Sequence, residues 1–394
     1  MPKDVIDKLT TFLESNDLEH MTILSKKLEK EARKRMLSRY YFKFFEYIQQ
    51  DFPKHLKDVV QKIKISGTIE LALNNYYQIF DSVKTLKIDG IDAIDAGVFV
   101  IQYPIKNLLI SQCHIRDGIK FRNINGITNI EQVNFQNCII DVPLVFPNDL
   151  KFLEFYECHR TDNENIEFNV PTQLVSFKTE DTPTNVKLSD LPETLETLQA
   201  VIDLESTIYE TLKFPSNLKV LQLLEYDNFR NKFEIPSQLE ELILPVNYPN
   251  FKLKFPDTLK RLDLGDDSQF NQLFNIPPYL EALSVNSEFN QPLEFPKSLK
   301  VLHIDSYRYD YPLNLPENLQ KFSSWIQYYE HEIFLPDSVL HAHFNFPTKN
   351  IIHLGKNIRK FSVGSIVLPG SQKIMFYKSD KLITISVPVE MNLE

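Results

Sequence analysis

Ten times between residues 146 and 339 the chain runs through an apolar residue, a proline, two variable residues and then leucine or valine. The apolar–proline pairs are Phe146-Pro147, Val170-Pro171, Leu191-Pro192, Phe214-Pro215, Ile235-Pro236, Phe255-Pro256, Ile276-Pro277, Phe295-Pro296, Leu315-Pro316 and Leu335-Pro336, at spacings of 19 to 24 residues. A period this short is too small for a unit with a core of its own, so each unit buries its apolar side only by stacking on the next. The chain has 23 prolines against 9 glycines, so the recurrent structural position is filled by proline and not by glycine-rich turns.

Three residues after each proline an alternating segment begins, as in Leu218-Lys-Val-Leu221-Gln-Leu223 and Leu259-Lys-Arg-Leu262-Asp-Leu264. Alternation means strand: Leu262 and Leu264 point inward, while Arg261, Asp263 and Gly265 point out. The inward set is expected to include Leu221, Leu223, Leu242, Leu244, Leu262, Leu264, Leu283, Val285, Leu302 and Ile304. The same pattern without proline starts upstream at Val83, Ile105 and Ile130 and recurs downstream at Ile358, giving fourteen strands in all. At ordinary strand spacing such a sheet runs roughly 65 Å along its curve.

The Leu-x-x-Leu-x-Leu pattern at this period resembles the leucine-rich repeat. That resemblance implies a horseshoe solenoid with a curved parallel sheet over residues 64–370. Repeats of about 20 residues leave no room for a helix on the convex side, so mostly irregular or polyproline-like returns are expected there. Phe270-Asn271-Gln272 and Phe289-Asn290-Gln291-Pro292-Leu293, with degenerate copies at Phe229-Arg-Asn and Tyr309-Asp-Tyr-Pro312, are similar to the FNIP-type variant of this repeat. Cys113, Cys138 and Cys158 each fall eight residues after the first apolar residue of consecutive strands. A ladder of buried thiols beside the turn is expected there, in preference to a metal or redox cluster.

Residues 1–63 read as a helical module and N-terminal cap. Val5, Ile6, Leu9, Phe12 and Leu13 share one helical face and Leu18, Met21, Leu24, Leu28 and Ala32 a second; Asn16-x-x-Glu19 has the form of a capping box between them. Met36, Tyr40, Phe44 and Ile48 continue at four-residue steps, and Leu56, Val59, Val60 and Ile63 form a last short amphipathic stretch. Pro2, Asp4-Val5, Phe12-Leu13, Asp17-Leu18 and Leu24-Ser25-Lys26 resemble the F-box, with Met1 in place of the usual leucine and the late tryptophan missing. The resemblance implies a helical bundle that docks the Skp-type adaptor of a cullin–RING ubiquitin ligase through Pro2, Val5, Leu9, Leu13, Leu18, Met21 and Leu24. The competing reading is a plain cap over the first edge of the repeats. Residues 371–394 are expected to cap the other end.

The formal net charge is −10. Residues 1–25 carry −3 and residues 26–64 carry +7, so residues 65–394 carry −14. An acidic repeat region is a poor binder of nucleic acid. The N-terminus carries acids and no continuous apolar core, no apolar run approaches a bilayer span, and three cysteines make no disulfide framework; a cytoplasmic or nuclear protein is expected. No phosphate-binding glycine loop and no Gly-x-Ser-x-Gly elbow occurs. Bacterial leucine-rich-repeat ubiquitin ligases use a similar Pro-x-x-Leu unit with a catalytic cysteine after the repeats, but no cysteine follows Cys158 here. The chain is therefore read as a substrate receptor or, alternatively, a repeat scaffold or inhibitor, and not as an enzyme; no cofactor, catalytic residue or metal is implied. Outward positions of the last proline-marked units give the expected partner-binding concave face: Arg261, Asp263, His303, Asp305, Trp325, His341 and His343.

Overall fold

A computed structural model describes residues 42–44, 62–66, 84–90, 105–116, 130–203, 211–224, 231–245, 248–265, 267–286, 288–326, 329–344, 352–363 and 385–386. Two compact units divide the chain, Met1–Val186 with Asp190–Pro192, and Lys187–Ser189 with Glu193–Glu394. Each is a ladder of parallel strands taken in chain order, and among the described residues the helical content is a three-residue 3-10 turn, Leu188–Asp190.

In the first unit the ladder runs through Phe42–Phe44, Lys62–Ser66, Thr85–Asp89, Asn107–Ser111, Gln132–Gln136, Phe152–Tyr156 and Ser176–Glu180. The register lines up Leu86, Leu108, Val133, Leu153 and Phe177 in one buried row and Ile88, Ile110, Phe135, Phe155 and Thr179 in the next. Rings stack along the second row, Phe135 on Phe155 at 5.0 Å. Strand pairing continues one residue further through Gly90, Gln112, Asn137 and Glu157, all with positive φ. Their amides reach the next repeat's carbonyl, Gln112 to Gln136 at 2.9 Å and Asn137 to Tyr156 at 2.8 Å. A left-handed residue here turns the chain off the sheet without losing the hydrogen bond.

The residue after that turn is Cys113, Cys138 or Cys158, and all three are buried free thiols. Each sulfur donates to the carbonyl two residues back, at 3.1 Å to Ser111, 3.3 Å to Gln136 and 3.3 Å to Tyr156. Thr182 takes the same place one repeat later, its hydroxyl donating to the Glu180 carbonyl and accepting the Cys158 amide, both at 2.9 Å. A small buried donor is what the position requires. The neighbouring Cys158 sulfur, together with burial, holds the Cys138 thiol above its ordinary value.

In the second unit the strands are Thr197–Ala200, Val220–Leu223, Glu241–Ile243, Arg261–Asp263, Ala282–Val285, Val301–Asp305, Lys321–Trp325, His341–Phe344, Lys360–Val363 and Ile385–Ser386. All ten residues expected to face inward, from Leu221 to Ile304, are buried, with Leu262 fully so. The proline has a specific task. Its carbonyl accepts the amide of the leucine three residues on, as Pro256 does from Leu259 at 3.2 Å and Pro316 from Leu319 at 3.1 Å, closing a tight turn into the strand. The next two amides then converge on one carbonyl of the preceding repeat, Lys260 and Arg261 on Glu240 at 2.7 and 3.0 Å. Side chains at this position alternate in sign, giving Lys219–Glu196 at 2.8 Å, Lys260–Glu240 at 2.6 Å and Lys300–Glu281 at 2.9 Å. Exposed pairs contribute little stability each, but they favour one register over a slipped one.

Behind this sheet a buried aromatic column runs through Tyr248, Phe270, Phe289, Tyr309 and Tyr329. Next to it the asparagines form their own ladder: the Asn250 side-chain oxygen accepts the Asn271 amide at 2.9 Å, Asn271 accepts Asn290 at 2.9 Å, and Asn290 accepts Asp310 at 3.3 Å. The Phe-Asn-Gln signature is thus a buried ring followed by an amide that pins the next repeat. The returns are mostly irregular, with short parallel pairs at His114–Ile115 with Ile139–Ile140, Thr211–Lys213 with Lys232–Glu234, and Ile333–Phe334 with Ile352–His353.

Two expectations are corrected: among the described residues the two ladders hold seventeen strands and not fourteen, the additions being Phe42–Phe44, Lys62–Ser66 and Ile385–Ser386, and part of the expected N-terminal helix is strand. Phe44 was read into a helix with Met36, Tyr40 and Ile48, but Phe42–Phe44 is a strand paired in parallel with Ile63–Ile65. Phe42-Lys43-Phe44 also alternates with period 2, aromatic residues favour strands, and a repeat stack offers an open edge to pair with. Most of residues 1–63, including Pro2, Val5, Leu9, Leu13, Leu18, Met21 and Leu24, lies outside the described residues.

Candidate protein-binding face

Parallel register stacks the outward residues of the second unit in rows. One row reads Arg261, Ala282, Val301, Lys321, His341, Lys360; the next reads Asp263, Ser284, His303, Ser323, His343, Ser362. Asp305 and Trp325 are partners in a third. All seven residues expected on the face therefore stand on one side of one ladder. Lys321, His341, His343 and Lys360 are exposed, His303 and Asp305 half-buried, and Trp325 is 36% exposed. An indole this open is not a core residue.

The rows are uneven in what they leave available. Arg261 pairs with Glu241 at 3.2 Å, and the Asp263 carboxylate accepts the Gly265 amide at 3.0 Å. Gly265 has φ +80° and lies so close to the preceding repeat that a Cβ would stand 2.5 Å from the Leu244 carbonyl oxygen, so Asp263 is occupied in holding a turn only glycine can make. Asn286, at an outward position by alternation, is instead buried; its amide donates to the Leu264 and Phe270 carbonyls at 3.4 and 3.3 Å and its oxygen accepts the Glu288 amide at 3.1 Å. The strand ends at Val285, so the alternation ends with it.

Further along, the imidazoles are oriented. His303 Nδ1 meets the Ser323 hydroxyl at 2.5 Å and His343 Nδ1 meets Ser362 at 2.7 Å, across neighbouring strands. With Nδ1 engaged, Nε2 is the ring atom left to a ligand. Lys360 and Ser362 were not foreseen as face residues, although the alternation Ile358-Arg-Lys-Phe361-Ser-Val363 puts them outward. Among the described residues no cluster of three His, Cys, Asp or Glu is placed to hold a metal ion, and no helix is long and apolar enough to cross a membrane.

Among its described residues the first unit holds one histidine–carboxylate pair. His114 Nε2 lies 2.6 Å from Asp141, and the other Asp141 oxygen accepts the Thr161 amide at 2.8 Å and its hydroxyl at 2.9 Å. Burial pushes the Asp141 carboxyl up, but the hydrogen bonds from Thr161 and His114 outweigh it and hold the group below its usual range. Arg116 Nε closes the remaining imidazole nitrogen at 3.3 Å. The pair is a staple between repeats.

No family model matches the chain, and no curated protein does. Among solved structures it is similar to a circular leucine-rich-repeat protein, CroV588, at 14% identity over 91% of this chain and 72% of that one, with a TM-score of 0.35. It is also similar to YopM from Yersinia enterocolitica, at 15% identity over 95% of this chain and all of that one, with a TM-score of 0.37. Likeness this distant says nothing of partner or activity.

Proposed function

We propose that this chain is a leucine-rich-repeat protein of the FNIP-type variety that works by holding another protein on the outward rows of its second unit, and that it is not an enzyme. The observation that carries this reading is the row from Arg261 to Lys360 beside Trp325: chemically mixed side chains, exposed at Arg261, Lys321, His341 and Lys360 and half-buried at Ala282 and Val301, fixed in register by a rigid ladder, with a tryptophan at its margin. Tryptophan and arginine are enriched among residues that dominate binding energy, and side chains mounted on strands lose little freedom when a partner arrives.

In its finer form the proposal makes the chain a substrate receptor of a cullin–RING ubiquitin ligase. Pro2, Val5, Leu9, Leu13, Leu18, Met21 and Leu24 would bind a Skp-type adaptor, and the repeats the substrate. What supports it is the F-box-like order of motifs in the first 35 residues followed by repeats. Co-purification with a Skp-type adaptor tests it: the reading expects a complex that is lost on removing residues 1–35 and on Leu18→Asp, with the repeats still folded by circular dichroism. An adaptor retained by folded Leu18→Asp removes the ligase role and leaves a binding scaffold with a cap.

A further inference from the structure

Charge in the last repeats of the second unit is segregated. The acids of these repeats other than Asp305 sit on turns and returns, and five of them stand beside a basic side chain: Glu281 with Lys300 at 2.9 Å, Glu288 with Arg308 at 3.5 Å, Asp310 with His331 at 3.4 Å, Glu332 with His353 at 2.9 Å and Asp337 with Lys356 at 3.5 Å. The outward rows are the reverse. Lys321, His341 and Lys360 follow one another in register, His303, Ser323, His343 and Ser362 stand alongside, and the acid on these strands' outward side is Asp305, in the flanking row opposite Trp325. Neither Lys321 nor Lys360 has an ion pair among the described residues, in a region that carries −14 overall.

We infer that this face binds an acidic peptide segment of the partner protein, crossing the strands over Lys321, His341 and Lys360. The inference rests on the proposed use of the same face. Lys321 and Lys360 are two strand spacings apart, about 10 Å, which an extended peptide covers in about three residues. In a polyproline-II-like segment, with three residues per turn and about 3.1 Å per residue, two carboxylates three positions apart share a face and meet the two ammonium groups, with His341 between them. The hydroxyls of Ser323 and Ser362 and the Nε2 atoms of His303 and His343 add hydrogen-bond partners for carboxylate oxygens that lysine alone does not orient. Nucleic acid is the poorer occupant, because a long polyanion would extend past these few cations onto acidic surface.

The test is titration calorimetry of the full chain with a synthetic Asp/Glu-rich peptide of about ten residues, its Asn/Gln counterpart, and a single-stranded oligonucleotide of similar length. The inference expects binding of the acidic peptide alone, weakened as salt rises and weakened at least about tenfold by Lys321→Glu with Lys360→Glu, while Lys356→Glu on the return changes it little. Melting curves establish that the variants fold. Equal binding of the Asn/Gln peptide, preference for the oligonucleotide, no binding, or indifference to the double reversal each overturns it. The reading of the face itself fails separately, by a Trp325→Ala variant that keeps full affinity for the natural partner.

Discussion

Leu262→Ala is the sharpest probe of the ladder. Leu262 is fully buried and sits in register between Leu242 and Leu283, so truncation leaves a void flanked by leucines on both sides that are themselves held by strand pairing. Losing the transfer free energy of the removed atoms costs about 2 kcal/mol, and the cavity adds about 24 cal/mol for each Å³ that fails to collapse. Strands locked by hydrogen bonds to both neighbours relax little, which places the total toward the upper part of the usual range of about 2–5 kcal/mol. Arg261→Ala, one residue away and outward, should change stability by about 0.5 kcal/mol or less, because its ion pair with Glu241 is exposed. Urea unfolding followed by circular dichroism measures both, with the slope checked because repeat arrays can unfold in parts. A loss under about 1 kcal/mol at Leu262, or an equal loss at Arg261, would refute the assignment of inward and outward rows.

Two further outcomes follow from the same geometry. Asn271→Ala leaves the Asn290 amide without the oxygen that accepts it at 2.9 Å and should cost about 1–2 kcal/mol in the same urea assay, whereas Gln269→Ala nearby should not. Asp141 is held below the usual carboxylate range, so its contribution is present above the unfolded value and is lost as pH falls through the folded one. Asp141→Asn should therefore destabilise near neutrality and converge on the wild type at strongly acidic pH; a difference independent of pH would contradict the charge-assisted bonds to His114 and Thr161.

The inward rows were legible because period 2 and the proline punctuation say the same thing at every repeat: Leu221, Leu242 and Leu262 repeat one environment. The cysteine column was legible too, by its constant offset from the strand. What the sequence concealed were places where two periods fit or a pattern stops. Phe42–Phe44 satisfies both a four-residue helical step and strand alternation, and only pairing with Ile63–Ile65 decides between them. Asn286 obeys the alternation on paper, but its strand has ended one residue earlier and its amide turns in to satisfy two carbonyls. Lys360 and Ser362 lie in a repeat without proline, where the strand pattern is weak. The Phe-Asn-Gln motif was visible, but its role was not, because the bond from Asn271 to Asn290 joins residues 19 apart that only register brings together.

The measurement that bears most directly on the protein-binding claim is the affinity of Trp325→Ala for the partner that co-purifies with the chain, taken beside a melting curve of the same sample. The account predicts an affinity loss of more than about fivefold, or about 1 kcal/mol, with an unchanged melting temperature. Unchanged affinity, or a loss of stability as large as the loss of binding, would contradict it and put the working surface elsewhere.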